Sequence, residues 1–491
     1  MSNRSCAVLR ARVLLTVSLA LGLVTATAQA ASIGLNFTGV KLSDGVALNG
    51  GGYAPPDNSG GVGPNHIVQL INGAFAVYDK TTGSASQPFI SGRQFWIDAG
   101  IDPGPGIANL GVFNQRVLYD PASGRWLAAA LTGESVNNNI LLARSDTSDP
   151  TGDWKAVGFL GNAGGDGKFV DYTRLGVDAT GVYVSTDNFN SSAGGSDSVS
   201  VFSVPKTDLL APIPTLANLS RFDAIDAGEY GGTIQPIISF GPSTGHEPLL
   251  GTSLALTDVS LFRSNITGAA AAGATLSPGT MITVNSYTDP PLAAQPDGTR
   301  VLQTIGDRFS ANVYQVGSVI YATNAIKVGD NVGVHWVKID EATNLVIQEG
   351  ILSDPDFDFF QPSISANANG DIVISFNRSG FGPDGNISIF AAVGKTVAGV
   401  TTFGNPLLLK ASTVDNYHYV NNRWGDYTTT IVDPSDPNVF WTFQEYAFAS
   451  NAWATQITQI LVPEPDSRLL AALALLVLCC VIRQRRRVAA S

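Results

Sequence analysis

Cysteine is nearly missing from this chain. There are three in 491 residues, Cys6, Cys479 and Cys480, all close to the ends. The long stretch between them therefore holds no disulfide framework, no cysteine metal site and no cysteine nucleophile. Histidine is almost as scarce. His66, His246, His335 and His418 stand at no ligand spacing, which argues against zinc. Charge is sparse too, at 14 % of residues, so long polar helical faces are few. Glycine-rich pieces such as Gly161–Gly167 do not follow a strand and open a helix, so they are not phosphate cradles.

What is abundant points to β-structure. The 52 Gly and 26 Pro make a turn-rich chain, and seven Trp, thirteen Tyr and twenty-three Phe supply enough apolar area for a packed core. The ends hide the charge balance: residues 31–465 alone carry a net charge of −19. Such a body repels nucleic acid and anionic lipid and favours solubility or cation binding.

Residues 1–30 have the layout of an export signal. Arg4, Arg10 and Arg12 precede an apolar run, Val13–Val24, and a small-residue cleavage site, Ala28-Gln-Ala30. The run is short of the roughly 20 residues a membrane span needs. At the other end, Val462-Pro463-Glu464-Pro465 is followed by an apolar run from Leu469 to Ile482 and by Arg483, Arg485, Arg486 and Arg487. Basic residues on that side would hold the end in the cytoplasm. Motif, run and basic cluster together resemble the PEP-CTERM sorting signal of Gram-negative bacteria. The resemblance implies export, transient anchoring in the inner membrane by the C-terminal helix, and processing by an exosortase-like enzyme. An ordinary C-terminal anchor is the alternative. The expected organisation is a signal peptide over 1–30, a repeat body over 31–461 and a sorting tail over 462–491.

In the body a strand–turn–strand phrase recurs. Its copies include Gly63–Asn72, Ala122–Ala130, Ala179–Ser185, Ser243–Leu250, Val316–Ala322, Asn369–Ser375 and Ser435–Thr442. A second strand phrase follows each, from Phe75–Tyr78 to Thr455–Ile460. Seven paired phrases, with turn glycines about 53–72 residues apart, indicate a repeat architecture. One unit reads in full as four antiparallel strands: Arg116–Tyr119, Arg125–Leu131, Ile140–Arg144 and Trp154–Phe159. The fold class expected is all-β, a β-propeller of seven four-stranded blades. The last unit runs into the tail one strand short, and Ile33–Phe37, in the polar lead-in 31–54, is a spare. Their pairing would close the ring.

In a propeller the first strand of each blade lines the axis, and residues just before it surround one mouth. Those positions hold Asp57, Gln115, Arg116, Asp171, Arg174, Gln235, Asp307, Arg308, Gln361 and Asp426. Converging acids and arginines suit a ligand pocket. Alternatively they pair as ion bridges or cap backbone groups where blades meet. Asp354-Pro-Asp-Phe-Asp358 offers oxygens of the kind that hold Ca²⁺, with a solvated acidic loop as the alternative.

The segment Ser145-Asp-Thr-Ser-Asp-Pro-Thr-Gly-Asp-Trp154 resembles the Asp-box turn of sialidase-like propellers, where that turn is structural and lies away from the active site. The likeness covers ten residues. It implies a search for three arginines around a substrate carboxylate, which Arg116, Arg308 and Arg423 could supply, but the Tyr–Glu pair of that family is not assignable. A two-carboxylate glycosidase would draw on Asp171, Asp307 or Asp426. The function expected is an exported surface or matrix binding protein, with polysaccharide or a surface protein as partner. That partner class comes from the tail's resemblance alone. The alternatives are a glycoside hydrolase at the channel mouth and a purely structural surface protein.

Overall fold

The computed structural model describes residues 30–102, 111–133, 136, 138–164, 167–190, 196–254 and 260–463. Residues 1–29, where a signal peptide is expected, and residues from Glu464 onward, where the sorting tail is expected and which include Pro465, Arg485, Arg486 and Arg487, lie outside them. Among the described residues no helix is long and apolar enough to cross a membrane. The account below concerns the compact unit Ile33–Ile460.

Strand β1 (Ser32–Lys41) is followed by a short helix, α1 (Leu42–Asn49), where the sequence suggested only a polar lead-in. Gly50 ends the helix in the left-handed conformation, φ 73°, which an L side chain adopts only under strain. The first sheet has three strands, β2 (Ser59–Val62), β3 (His66–Ile71) and β4 (Ala74–Asp79). Single bridges from Phe75 to Ile90 and from Tyr78 to Ala85 cover its outer edge.

The second sheet is the unit that the sequence showed in full: β5 (Val112–Asp120), β6 (Arg125–Thr132), β7 (Asn139–Ser145) and β8 (Trp154–Leu160), in that order. Next come β9 (Lys168–Val177), β10 (Gly181–Asn190), β11 (Ser196–Pro205) and β12 (Ser220–Asp226). Strands β13 (Gly232–Pro236) and β14 (Ile238–Ser239) form one inner segment. Outside it lie β15 (His246–Thr252), β16 (Leu261–Thr267), β17 (Thr275–Leu276) and β18 (Thr280–Ile282). The alanine-rich stretch Gly268–Gly273 is the loop from β16 to β17, inside a sheet and not between domains. A two-stranded ribbon, β19 (Ala293–Ala294) and β20 (Arg300–Leu302), precedes β21 (Tyr314–Val316), β22 (Val319–Val328), β23 (Asn331–Asp340) and β24 (Val346–Leu352). Then follow β25 (Phe357–Ala366), β26 (Ile372–Gly380), β27 (Ser388–Val397), β28 (Val400–Phe403) and β29 (Leu407–Lys410). The last sheet holds β30 (Thr429–Asp433), β31 (Asp436–Ala449) and β32 (Ala452–Leu461), with β1 hydrogen-bonded outside β32.

The arrangement is propeller-like and all-β, but the expected seven separate four-stranded blades are corrected to five sheets of four or more strands. Two causes account for the difference. The first sheet stops at three strands. The inner segment β14 pairs in parallel with both β9 (Ile238 to Val177) and β21 (Ile238 to Tyr314), which fuses β9–β12 and β21–β24 into one nine-stranded sheet. Gly176 allows this approach, since a Cβ there would sit under 3 Å from the backbone of Pro236.

The innermost strands contact one another in a closed circuit, from β2 to β5, β9, β13–β14, β21, β25, β30 and back to β2. Closure by the N-terminal strand holds as expected. Val40 N donates to Gln69 Oε1 at 3.2 Å, Thr455 Oγ1 donates to Val40 O at 2.9 Å, and Thr458 Oγ1 donates to Asn36 Oδ1 at 2.8 Å. Five tryptophans are fully buried, at 96, 126, 424, 441 and 453, and each indole N–H finds an acceptor. Their large apolar area therefore leaves no buried donor unpaired.

Candidate functional site at the channel mouth

Most inner strands begin with the same distortion. The ladder slips between Phe113 and Arg116 in β5, across Asp171–Arg174 in β9, between Gly232 and Gln235 in β13, and between Phe360 and Ser363 in β25. At this place five residues adopt the left-handed conformation: Asp57 (φ 54°), Asn114 (51°), Tyr172 (62°), Thr233 (49°) and Gln361 (50°). None is glycine, so each costs on the order of 1 kcal/mol or more of backbone strain. A bulge re-aims a side chain, and here each of the five reaches a specific partner. Asp57 accepts from Asn72 Nδ2 at 2.8 Å and from Asp426 N at 3.0 Å. Asn114 Nδ2 donates to Asp171, and Gln361 Nε2 to Gly425 O. Tyr172 Oη donates to Asp426 O at 2.8 Å, and Thr233 Oγ1 to Asp187 Oδ2 at 3.3 Å.

Seven of the ten sequence-derived candidates are buried: Asp57, Gln115, Arg116, Arg174, Gln235, Gln361 and Asp426. Asp171, Asp307 and Arg308 are partly exposed. The three glutamines cap backbone carbonyls across neighbouring sheets, Gln115 on Ile71, Gln235 on Phe309 (2.6 Å) and Gln361 on Gly425. Arginines and tyrosines fill the centre. The Arg116 guanidinium lies 3.2 Å from the ring centroid of Tyr427, with Nε on Thr173 O at 2.8 Å and Nη2 on Ser310 O at 3.2 Å. Arg174 pairs with Asp187 at 2.6 Å. Arg174 and Arg308 lie 4.8 and 5.3 Å from the ring of Tyr172, whose edge meets Tyr427. Arg423 bridges Asp426 at 3.0 Å and donates to Gln303 at 2.8 Å.

Arg116, Arg308 and Arg423 do converge, but the carboxylate among them is the protein's own. All three act electrostatically on Asp426. Burial raises Asp426 above the usual carboxylate range, and the three arginines pull it back. Burial, then the charge of Asp426, pushes Asp57 well up. Burial lowers Arg116. Burial also opposes the charge of Arg308, but Tyr172, Asp187, Asp426 and Asp307 outweigh it and raise the group. Asp307 is pushed up to about 7 by burial and by neighbouring Asp289, which accepts from Asp307 N at 3.0 Å. Its Oδ2 is buried with no hydrogen-bond partner.

Tyr172, Tyr427, Asp187 and Asn114 escaped the sequence reading. One signal was present, the tripeptide Asp-Tyr-Thr at both 171–173 and 426–428. The acidic run 354–358 does not assemble a cation site, because Asp358 turns inward to Arg300 (3.0 Å) and to the amides of Ala294 and Val332. Among the described residues no group of three or more His, Cys, Asp or Glu is arranged to hold a metal. Gly241-Pro-Ser-Thr-Gly245 spells Gly-x-Ser-x-Gly, yet it joins strand to strand, and Ser243 Oγ accepts from Gly245 N at 3.1 Å. It is a turn, not a nucleophile elbow.

No family model matches the chain, and no curated protein matches it. Among solved structures it is similar to the phage phi92 endosialidase, at 9 % identity and a TM-score of 0.42, over 70 % of this chain and 66 % of that one. It is also similar to a Trypanosoma rangeli sialidase in complex with sialic acid (9 %, 0.36, over 81 % and 59 %). A third likeness is to the α-L-arabinofuranosidase Arb93A from Fusarium graminearum (11 %, 0.38, over 70 % and 92 %). At this level the likeness carries no argument of its own.

Proposed function

We propose that this chain is an exported propeller that serves as a binding protein at the cell surface or in the surrounding matrix. Its ligand is an acidic polysaccharide, held at the channel mouth. One observation carries the reading: on a body of strongly negative charge, two arginines that are partly exposed as residues, Arg308 and Arg423, both act on Asp426, and Arg308 also lies 5.3 Å from the ring of Tyr172. Among the described residues Arg308 makes no hydrogen bond. A guanidinium fork with unspent donors suits a carboxylate on the ligand. The export arm rests on the sequence of the two ends. It implies an exosortase-like processing enzyme as partner and membrane contact through the tail alone.

Binding is favoured over hydrolysis because three of the four mouth carboxylates are engaged. Asp426 is on Arg423, Asp57 on Asn72 and Asp171 on Asn114. An array of acidic and neutral polysaccharides tests this, with wild type and Arg308→Gln. Acidic glycans should be retained by wild type and lost in the variant. Failure of wild type to retain any acidic glycan would overturn the reading.

Asp307 supports a second reading, a glycoside hydrolase. A half-buried carboxyl poised near pH 7, with one oxygen unpartnered, has the properties of a general acid. Release of reducing ends from the same polysaccharides, abolished in Asp307→Asn, would establish that reading over simple binding.

A further inference from the structure

The inner strands have a second end. From Asn114 to Tyr119 β5 advances about 17 Å along the axis, and the far ends of β2, β5, β14, β21, β25 and β30 surround a cavity of about 320 Å³. None of the mouth residues lines it. Three aromatic side chains, Tyr119, Phe240 and Tyr314, contribute to its wall, which is mainly apolar. Two polar groups interrupt that wall. Ser365 is 2 % exposed and Gln315 6 %. Among the described residues the Ser365 hydroxyl has no hydrogen-bond partner. Gln315 spends its amide N–H on Gly317 O at 3.0 Å, which leaves its side-chain oxygen unpartnered. Asp433 is the charged residue of the lining, and it is fully engaged by Lys80 (2.8 Å), the Trp441 indole (2.9 Å) and Ser435 N (2.8 Å).

We propose that this cavity is a second ligand site, for a neutral hydroxylated ring of monosaccharide size. The volume lies at the lower end of the range of small-ligand pockets, roughly 300–1,000 Å³. Aromatic walls accept the apolar face of a ring. The serine hydroxyl and the glutamine oxygen give one donor–acceptor group and one acceptor, which matches a ligand hydroxyl. An ionic ligand would find no unspent counter-charge in the lining, and its desolvation would go uncompensated. The proposal does not depend on the mouth reading, because the two sites share no residue.

The test is saturation-transfer NMR and titration on the purified full chain, with glucose, galactose and N-acetylglucosamine as probes and glucuronate as the charged control. Variants are Ser365→Ala, Phe240→Ala and Arg308→Gln. Phe240 is over a third exposed, so its variant keeps the fold while removing one wall. At least one neutral sugar should bind, at least fivefold more weakly in Ser365→Ala and in Phe240→Ala, and unchanged in Arg308→Gln. Three results would overturn the proposal: no neutral sugar bound, glucuronate bound as tightly, or binding that responds to Arg308→Gln but to neither far-end variant.

Discussion

The two ends of the same inner strands are built by different means. At the mouth the strands are bulged, five non-glycine residues are left-handed, and four arginines are interleaved with tyrosines and carboxylates. At the far end the ladders of β2, β5, β9, β21 and β25 are regular, β30 slips once between Val432 and Asp433, and the turns use residues suited to them. Asp120 accepts from the hydroxyl of Ser123, while Asp178 takes the amides of Thr180 and Gly181 and the hydroxyl of Tyr183. The turn Ser145–Trp154 belongs to this end, since β5 runs away from the mouth, β6 returns and β7 runs away again. There Trp154 Nε1 donates to Pro150 O and Trp126 Nε1 to Ser148 O, which ties the turn to its own sheet. Left-handed strain and buried arginine are thus concentrated where side chains must be aimed. The far end keeps low-strain geometry around an apolar cavity.

The largest way to break this contrast is to open the ring on which both ends depend. Deleting Ile33–Val40 removes the strand outside β32 and should abolish most of the folding free energy, on the order of 5–15 kcal/mol for a domain. An unchanged thermal melt would rule out closure by this strand.

Next in size is Arg116→Met. It strips the cation from between Tyr427 and the Asp57–Asp426 pair and leaves buried polar groups uncompensated, which should cost about 3–5 kcal/mol in denaturant unfolding. Tyr119→Phe at the far end of the same strand should cost less than about 1 kcal/mol. Similar losses for the two would erase the distinction between the ends.

A third expectation concerns pH. Glu445 is fully buried, accepts from Gly425 N beside the mouth, and is pushed up to about 8 chiefly by burial. Its folded value lies above its unfolded value, so the native state holds a proton that the unfolded chain has already released. Stability from this group is therefore complete below about pH 4.5 and falls as pH rises toward 8, by at most about 1.4 kcal/mol per pH unit. Asp307 adds the same sign up to about pH 7. Glu445→Gln should flatten the slope between pH 5 and pH 8, and equal slopes in chemical unfolding of variant and wild type would refute it.

The smaller of the two arginine effects is expected for Arg308→Gln. Its guanidinium has no hydrogen bond to lose but does balance Asp426, so stability should change by about 1–2 kcal/mol, less than in Arg116→Met, while acidic-glycan binding disappears. A large drop in melting temperature would place Arg308 with the structural arginines instead.

Much of this was readable residue by residue. Alternating apolar runs beside turn glycines located the strands, and the spare strand before residue 41 announced the closure. The tripeptide Asp-Tyr-Thr marked both tyrosines of the mouth, though only its acids drew notice. Helix α1, the pairing of β14 and the left-handed residues were not readable. The run Ile237-Ile238-Ser239-Phe240 has no periodicity that says which neighbours it will join. No local rule places Tyr, Thr or Gln at positive φ, because the energy that holds them there comes from partners far away in the chain.

By itself the sequence determined an all-β repeat body without disulfides, the places of its turns, a strongly acidic surface and two ends that each join an apolar run to arginines. These follow from local patterning and composition, which every short segment carries on its own. Only the tertiary structure decided how many sheets the strands form. It alone showed that Gln115, Gln235 and Gln361 cap backbone rather than face a ligand, and that Asp426 occupies the centre of three arginines. Arg116 meets Ser310 and Tyr427 across roughly two and three hundred residues of chain, and contacts of that span exist only once the ring has closed.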